Sequence, residues 1–425
     1  MSVDTASESG RRPLGFASLF ALGVNGIVGV GIFFAPAAVA AEFPGVGGAA
    51  FYVVTALALL PIALGYAVLG SRFSVDGGPY VWAEAAFGTR FAFFVGWITF
   101  ASALTSLAAV LSGLAHQLSA ALGLMNPTVV HGVAVVAVLF LASLAASGLR
   151  LSAVVWTGVT VLKLVPLAAL LAFGVVMASR APLVTTAVHS GDLHGAFRAV
   201  LVVVFALQGF EIVPLLAGSV RRSERTVPWS TVGALLFAAM LYAALQTVAA
   251  RAVPELGKSH APLIDAARVY GGTATAAFVA LGANVSAIGI GFGMFNTTPR
   301  YLSALSGPGA FGPWIARLDA RHVPQRALWL TALAVVLLVS LSDRPSELFV
   351  LSSLTVLAQY STALAALGVL ALRRTHGVPR RALWIVLFSV VGISLAAHGA
   401  ELREVLGILG VYILGEAIRR IARRV

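Results

Sequence analysis

Two charged side chains lie deep within long apolar stretches, and they are the first candidates for chemistry. Lys163 lies within the apolar run 151–178, roughly 18 Å from the start of that run at about 1.5 Å per helical residue. Glu211 is similarly central in the run 197–218. A charge at the centre of a membrane span costs on the order of 3 kcal/mol, so such residues usually line a polar interior. We predict that Lys163 and Glu211 serve ion or proton coupling. The alternative is a structural ion pair, or a helix-bonded carboxyl, that holds the bundle together.

Helix-breaking residues interrupt two of the apolar runs. The first run carries four glycines within 23–31 and then Pro36, and the sixth carries the sequence 205–211 followed by Pro214. Glycine loosens a helix, and in hydrocarbon the freed N–H and C=O groups need partners, which a bound ligand can supply. Breaks at corresponding places in two five-helix halves are typical of an inverted-repeat transporter. The alternative is that the glycines only let helices pack closely.

The composition predicts that these breaks lie in an integral membrane protein. Of the 425 residues, 59% are hydrophobic and 10% charged, and the mean hydropathy is +0.96. At roughly 20 residues per membrane-spanning helix, the chain holds about twelve spans, and no soluble domain is expected besides them. An amphipathic linker at 79–87, whose aromatics could anchor it at the interface, precedes the third span. The predicted spans are 14–41, 46–70, 91–120, 128–148, 151–178, 197–218, 229–252, 272–298, 327–342, 347–372, 382–398 and 404–418.

The distribution of positive charge indicates an orientation. With the N-terminus inside, 20 of the 28 Lys and Arg residues fall in inner segments and seven in outer ones, while Lys163 lies within a span. This asymmetry follows the positive-inside rule and predicts that both termini are cytoplasmic, in the plasma membrane. The net charge of +12 does not indicate nucleic-acid binding, because the cations form short clusters between apolar runs.

Several other chemistries find no support in the sequence. Cysteine is absent and no histidine pair has metal-ligand spacing, so we expect no metal site and no cofactor. His189 and His194 share one predicted outer loop. Gly257-Lys258-Ser259 has the end of a phosphate-binding loop, but Ala252 stands where its first glycine should be. The run 14–41 is too long for a cleavable signal.

Several spaced motifs resemble the amino acid-polyamine-organocation (APC) family over most of residues 14–373. They comprise the glycine-rich 26–33, the loop motif 76–82 with 86–88 and 96–97, the lysine motif 161–167, the sixth-span break 205–211, and the later stretches 225–228, 259–263 and 299–305.

The resemblance implies an all-α membrane protein of the LeuT type, in which five-plus-five inverted repeats carry discontinuous helices one and six. It implies a cytoplasmic tail at 1–13, a ten-helix transporter core at 14–373, and two added helices with a basic tail at 374–425. In such proteins the substrate carboxylate meets N–H groups of the first break, and the amino group meets carbonyls of both breaks. The matching positions are Gly29, Val30 and Gly31 for the carboxylate, and Ile27, Phe205, Gln208 and Gly209 for the amino group, with Phe205 also the gating aromatic.

The sequence departs from the family pattern in a few places. Val30 replaces a serine between the two glycines, and Ser219 replaces a glutamate beyond the second break.

Lys163 is similar in place to a sodium site of sodium-coupled relatives. We therefore expect a secondary transporter of amino acids, by proton-coupled symport or exchange and without sodium.

Three other classes of protein are alternatives to this expectation. The same fold could carry amines or polyamines, although Glu211 is the one deep carboxylate available to pair with them. A membrane sensor would usually need an attached output domain, and an enzyme would need a catalytic constellation, which the sequence does not show. The identity of the amino acid, the direction of flux and the oligomeric state do not follow from the sequence.

Overall fold

The computed structural model describes residues 15–73, 78–149, 153–178, 192–220, 222–305 and 314–422, and it is built of α-helices. The predicted tail 1–13 and His189 lie outside these residues. The α-helices are α1 (Phe16–Ile27), α2 (Ala35–Glu42), α3 (Ala49–Arg72), α4 (Pro79–Phe87), α5 (Thr89–Ala121), α6 (Pro127–Ala146), α7 (Ala153–Ala178), α8 (Leu193–Leu207), α9 (Ile212–Leu215), α10 (Ser223–Ala252), α11 (Pro262–Ala304), α12 (Gln325–Ser340), α13 (Pro345–Arg373), α14 (Ala382–Ala397) and α15 (Leu402–Ala422).

The helices have the lengths that a membrane protein requires. Within the described residues, eight helical segments are long and apolar enough to cross a membrane, and α1, α12 and α14 are shorter apolar helices. The predicted twelfth span corresponds to α15, whose last turns carry Glu416, Arg419 and Arg420 and so shorten its apolar stretch. The all-helical membrane fold predicted from the sequence is confirmed.

Both predicted helix breaks are present. Helix α1 ends at Ile27, a short 3-10 helix covers Gly31–Phe33, and α2 follows with Pro36 in its first turn. A proline is tolerated there because the first N–H groups of a helix have no partner within it. Helix α8 ends at Leu207, and α9 begins only at Ile212. The first and sixth predicted spans are therefore each two helical pieces joined by a short segment that is not α-helical.

Neighbouring helices hold these breaks from several sides. Helix α10 packs along α1 and α3, while α13 packs along α5 and α8, and α5 also contacts α11. One continuous apolar core joins them, and it includes Ile27, Val30, Phe205 and Phe210 from the break regions. The broken segments are thus enclosed by long helices.

One local feature differs from the sequence-based expectation. The linker 79–87 forms α4, and Trp82 is 1% exposed with its ring 5.3 Å from that of Tyr66. Trp82 is therefore a core residue, and the interpretation of this side chain as an interface anchor is wrong. The eighth span was predicted to begin at 272, and the structure agrees: α11 begins at Pro262 but bends at Gly271 and Gly272, where Gly272 has φ 71°, so a second helical piece starts at the predicted position. A glycine accepts that conformation because it has no Cβ.

Candidate functional site

Lys163 of α7 binds the carboxyl end of α1. Its side chain is buried, and Nζ donates hydrogen bonds to the carbonyl oxygens of Asn25 at 2.8 Å and Val28 at 2.6 Å. Thr160, one turn earlier on α7, donates to the side-chain oxygen of Asn25 at 3.0 Å. The last carbonyls of a helix have no partner within the helix and attract positive charge. The ammonium group therefore satisfies carbonyls that the break leaves free.

Tyr242 of α10 binds the same helix end from another side. Its hydroxyl donates to the carbonyl oxygen of Ile27 at 3.0 Å, and the side chain is fully buried. Ile27 was predicted to offer this carbonyl to a substrate amino group. A carbonyl oxygen has two lone pairs, so the bond from Tyr242 still leaves one acceptor position.

Backbone N–H groups are free on the other side of the first break. Phe33 and Phe34 donate to the carbonyls of Val30 and Gly31, which closes the 3-10 turn. The N–H groups of Val30, Gly31 and Ile32 have no hydrogen-bond acceptor in the described part of the chain. They lie just before the amino-terminal end of α2, where the helix dipole favours an anion. Two of the three residues predicted to meet a carboxylate, Val30 and Gly31, are thus placed as free donors.

The second break leaves carbonyl groups free. Helix α8 ends at Leu207, and Gly209, which would continue its bonding pattern, donates its N–H to the Glu211 carboxylate at 2.8 Å instead. The carbonyls of Phe205, Ala206 and Leu207 consequently have no donor among the residues that the structure describes. Free carbonyls at a carboxyl-terminal helix end favour a cation, such as an ammonium group.

The two breaks lie against each other through glycines. A Cβ added at Gly31 would lie 2.7 Å from Cα of Ala206, and one added at Gly209, whose φ is +113°, would meet the carbonyl of Gly26. No side chain fits at such backbone contacts. At Gly29, by contrast, the nearest atom would be the terminal methyl Cδ1 of Ile290 at 3.0 Å, which can move. Gly31 and Gly209 are therefore required by the contact, and so is Gly26, whose added Cβ would lie 2.9 Å from the carbonyl oxygen of Gly209.

An aromatic stack covers this region. The ring of Phe205 stacks on that of Phe349 at 4.4 Å, and Phe34 contacts Phe349 at 5.3 Å. Phe34 and Phe349 also line a cavity of about 750 Å³, which further includes charged side chains such as Glu42 and Arg198. The predicted gating aromatic thus lies at the boundary between the breaks and this cavity.

Glu211 lies in a network separate from that of Lys163. Its Oε2 accepts hydrogen bonds from the N–H of Gly209 and from the hydroxyl of Tyr360 on α13 at 2.9 Å. The rings of Tyr360 and Tyr66 are 5.3 Å apart. Across the described ranges, Glu211 and Lys163 do not form an ion pair with each other. The carboxylate links the second break to α13, whereas the ammonium links the first break to α7.

Sequence reasoning missed several polar residues around the breaks. These residues reach the break segments from helices that are more than 100 residues away along the chain. They are Tyr242, Tyr360, Ser106 and Ser352. A single serine or tyrosine in an apolar helix gives no local signal of its partner. Their periodic position on an inward-facing helix surface was the one clue available.

The broken helices, their free donors and acceptors, and the spanning helices around them define a polytopic membrane transporter rather than an enzyme. Residues 14–400 match the amino acid permease family model. The chain belongs to the amino acid permease family, whose fold has about twelve helices.

Characterised and uncharacterised relatives cover most of the chain. It is 28% identical to an uncharacterised transporter from Mycobacterium tuberculosis, over 97% of this chain and 92% of that protein. It is 25% identical to the branched-chain amino acid permease BcaP of Lactococcus lactis, over 84% of this chain and 81% of that one. The serine/threonine exchanger SteT of Bacillus subtilis is 24% identical, over 89% of this chain and 88% of SteT.

Proposed function

We propose that the chain carries small neutral amino acids across the plasma membrane by alternating access, as a proton-coupled symporter or an exchanger that does not need sodium. Its family supports an amino acid substrate. The names of the relatives BcaP and SteT point to neutral amino acids, both branched and hydroxylated. Within the described core, Lys163 and Glu211 are each committed to a break segment, which leaves no deep charge to pair with a charged substrate side chain.

The two breaks supply both ends of a zwitterion. The substrate carboxylate would accept hydrogen bonds from the free N–H groups of Val30 and Gly31, with Gly29 beside them. The ammonium group would donate hydrogen bonds to the Ile27 carbonyl oxygen, which has one acceptor position left, and to the free carbonyl oxygens from Phe205 onwards. Gln208 and Gly209 lie next to these carbonyls. A preformed arrangement of opposed helix ends binds a zwitterion because each end carries the complementary partial charge.

The position of the Lys163 ammonium group supports the proposal that transport does not need sodium. It is 2.6–2.8 Å from two carbonyl oxygens of the first break, where a bound cation would otherwise be needed to satisfy them. A covalently attached positive charge performs that task without an ion from solution. Release of this contact would let α1 move relative to α7, which is a means of alternating access.

We further propose that Glu211 exchanges a proton during transport. Its carboxylate holds the N–H of Gly209 and the hydroxyl of Tyr360 together, so a change in its charge alters the bond between the second break and α13. The positive-inside rule supports an orientation with both termini cytoplasmic. We propose the division into tail 1–13, core 14–373 and added helices 374–425 on the same sequence grounds.

The proposal is tested by uptake into proteoliposomes that contain the purified chain. Radiolabelled neutral amino acids would be offered with sodium or choline outside, with and without an inward proton gradient. We expect saturable uptake of at least one neutral amino acid, equal in sodium and choline. A strict sodium requirement would overturn the role of Lys163, and uptake of amines but of no amino acid would favour the amine alternative.

A further inference from the structure

A polar cluster of three side chains adjoins the second break. Ser106 of α5 and Ser352 of α13 face each other, with their hydroxyl oxygens 2.7 Å apart. The amide nitrogen of Gln208 donates to both, at 3.3 Å to Ser106 and 3.1 Å to Ser352. We call Ser106, Gln208 and Ser352 the amide–serine cluster. It joins α5 and α13 to the first residue after α8.

The hydrogen bonds of this cluster leave two donors and an acceptor unused. The two serine oxygens are so close together that one amide hydrogen of Gln208 faces both, one serine hydroxyl donates to the other, and the second amide hydrogen has no acceptor among the described residues. One hydroxyl hydrogen then has no acceptor among the residues that the structure describes. The amide oxygen Oε1 of Gln208 is buried and likewise has no partner there. Unpaired buried donors and acceptors are costly, so these groups call for a bonding partner.

The neighbouring threonine pair shows that this arrangement is specific to the cluster. Thr105 and Thr355 lie beside the two serines, and their hydroxyl oxygens are also 2.7 Å apart. Thr105 additionally reaches the carbonyl of Ala101 at 3.1 Å, and Thr355 that of Leu351 at 3.0 Å. Each threonine hydroxyl can therefore donate within its own helix. The serines have no such bond in the described residues, which leaves their spare hydrogen for another group.

The cluster lies beside the proposed substrate position. Gln208 is two residues beyond Ala206, whose Cα is in contact range of Gly31. Ser352 lies one helical turn after Phe349, the ring that stacks on Phe205. The spare donors and acceptor are thus next to the free backbone groups of both breaks, on the side enclosed by α5 and α13.

We propose that the amide–serine cluster is the side-chain selectivity site of this transporter, and that it favours a small neutral side chain that both donates and accepts a hydrogen bond. The hydroxyl of serine or threonine has this chemistry, and so does the carboxamide of asparagine. A methyl group in the same place leaves these cluster groups unpaired. The inference rests on the proposed transport of neutral amino acids and adds the class of side chain.

Near-isosteric substrate pairs test this selectivity directly. Serine against alanine, threonine against valine, and asparagine against leucine would be compared as competitors of uptake in proteoliposomes. We expect the polar member of at least one pair to compete at least about tenfold better, because sites built to bond a polar group reject the analogue lacking it. The pair with the largest polar-to-apolar ratio of competition shows whether the site prefers a hydroxyl or a carboxamide.

Variants of the cluster and of its neighbour connect the ratio to these residues. In Ser352→Ala and Ser106→Ala, the preference for the polar over the apolar competitor should fall to about one-tenth of the parental value or less. The apolar competitor should still bind. Ser353→Ala is the matched control, because this adjacent buried serine donates to the carbonyl of Leu201 and lies outside the cluster. Its ratio should equal that of the parent.

The possible outcomes separate this inference from the proposed function. If every apolar competitor competes as well as its polar partner, the selectivity inference is overturned, while amino acid transport stands. An unchanged ratio in Ser352→Ala and Ser106→Ala also overturns it. If no neutral amino acid is bound or transported at all, the proposed function fails first.

Discussion

The ammonium group of Lys163 on α7 lies 2.6 Å from the carbonyl oxygen of Val28, the residue that follows the end of α1. A second bond, to Asn25 one turn earlier, fixes the group along the axis of that helix end. The buried charge and the broken helix therefore satisfy each other. Neither is stable alone in an apolar environment, since an unpaired charge and unpaired carbonyls are both costly there.

We predict that Lys163→Ala slows transport at least about tenfold, because it leaves two carbonyls of the first break without donors. Substrate binding should weaken less, since the free N–H groups of Val30 and Gly31 are unaffected. Uptake rate and equilibrium binding would be measured on the same preparation, in sodium and in choline.

Lys258→Ala is the control for this change, because Lys258 is the other lysine of the sequence and is exposed, paired with Glu255. It should behave as the parent. Parental uptake by a Lys163→Ala protein would contradict the coupling role. A thermal melt of the variant separates loss of function from loss of fold.

The glycines of the first break should differ in their tolerance of a side chain. Gly31→Val is expected to abolish substrate binding, because even its Cβ would lie 2.7 Å from Cα of Ala206. Gly29→Ala should retain most binding, since the Ile290 methyl can move away. Val30→Ser should be tolerated, because the carboxylate is proposed to use backbone N–H groups here.

Gly132→Ala is the control for these glycine variants, because an added Cβ there meets no atom within 4 Å. Ligand binding by scintillation proximity, on protein of verified monodispersity, measures all four variants. Normal binding by Gly31→Val would favour the alternative in which the glycines only allow helices to pack.

The loop before α12 should confer a pH-dependent contribution to stability. Hydrogen bonds from the Gln325 side chain and from the N–H groups of Val323 and Arg321 lower the pKa of Asp319 below its ordinary value. A carboxyl whose pKa is lower in the folded state stabilises that state at pH above its ordinary pKa, and the contribution is lost as pH falls through the lowered pKa.

Asp319→Asn should therefore lower the melting temperature at neutral pH, and the difference from the parent should shrink on acidification towards pH 3. Melting curves in detergent across this range measure it. Asp343→Asn is the comparison, since Asp343 is an exposed aspartate in another loop. A difference between Asp319→Asn and the parent that stays constant with pH would show that the loop bonds, rather than the charge, are responsible.

The sequence predicted the parts of the site that have local causes. Glycine followed by a proline weakens a helix locally, so both breaks and their positions followed from residues 23–36 and 205–214. The contact of Lys163 with the first break was also foreseeable, because a midplane lysine needs acceptors. Partners such as Tyr242 and Ser352 were not, since their hydrogen bonds depend on how distant helices are placed. The burial of Trp82 had the same cause.

The last prediction concerns Glu211, whose carboxylate accepts bonds from Gly209 and Tyr360. Glu211→Gln keeps a side-chain oxygen that can accept one or both bonds but removes the charge. If the residue exchanges a proton, uptake driven by a proton gradient should fall at least about tenfold, while exchange of internal for external substrate continues. Tyr360→Phe removes one bond and keeps the carboxyl group, so it should weaken gradient-driven uptake less. Both activities would be assayed in the same proteoliposomes. Equal stimulation of the parent and of Glu211→Gln by the gradient would leave Glu211 with the structural role of tying the second break to α13.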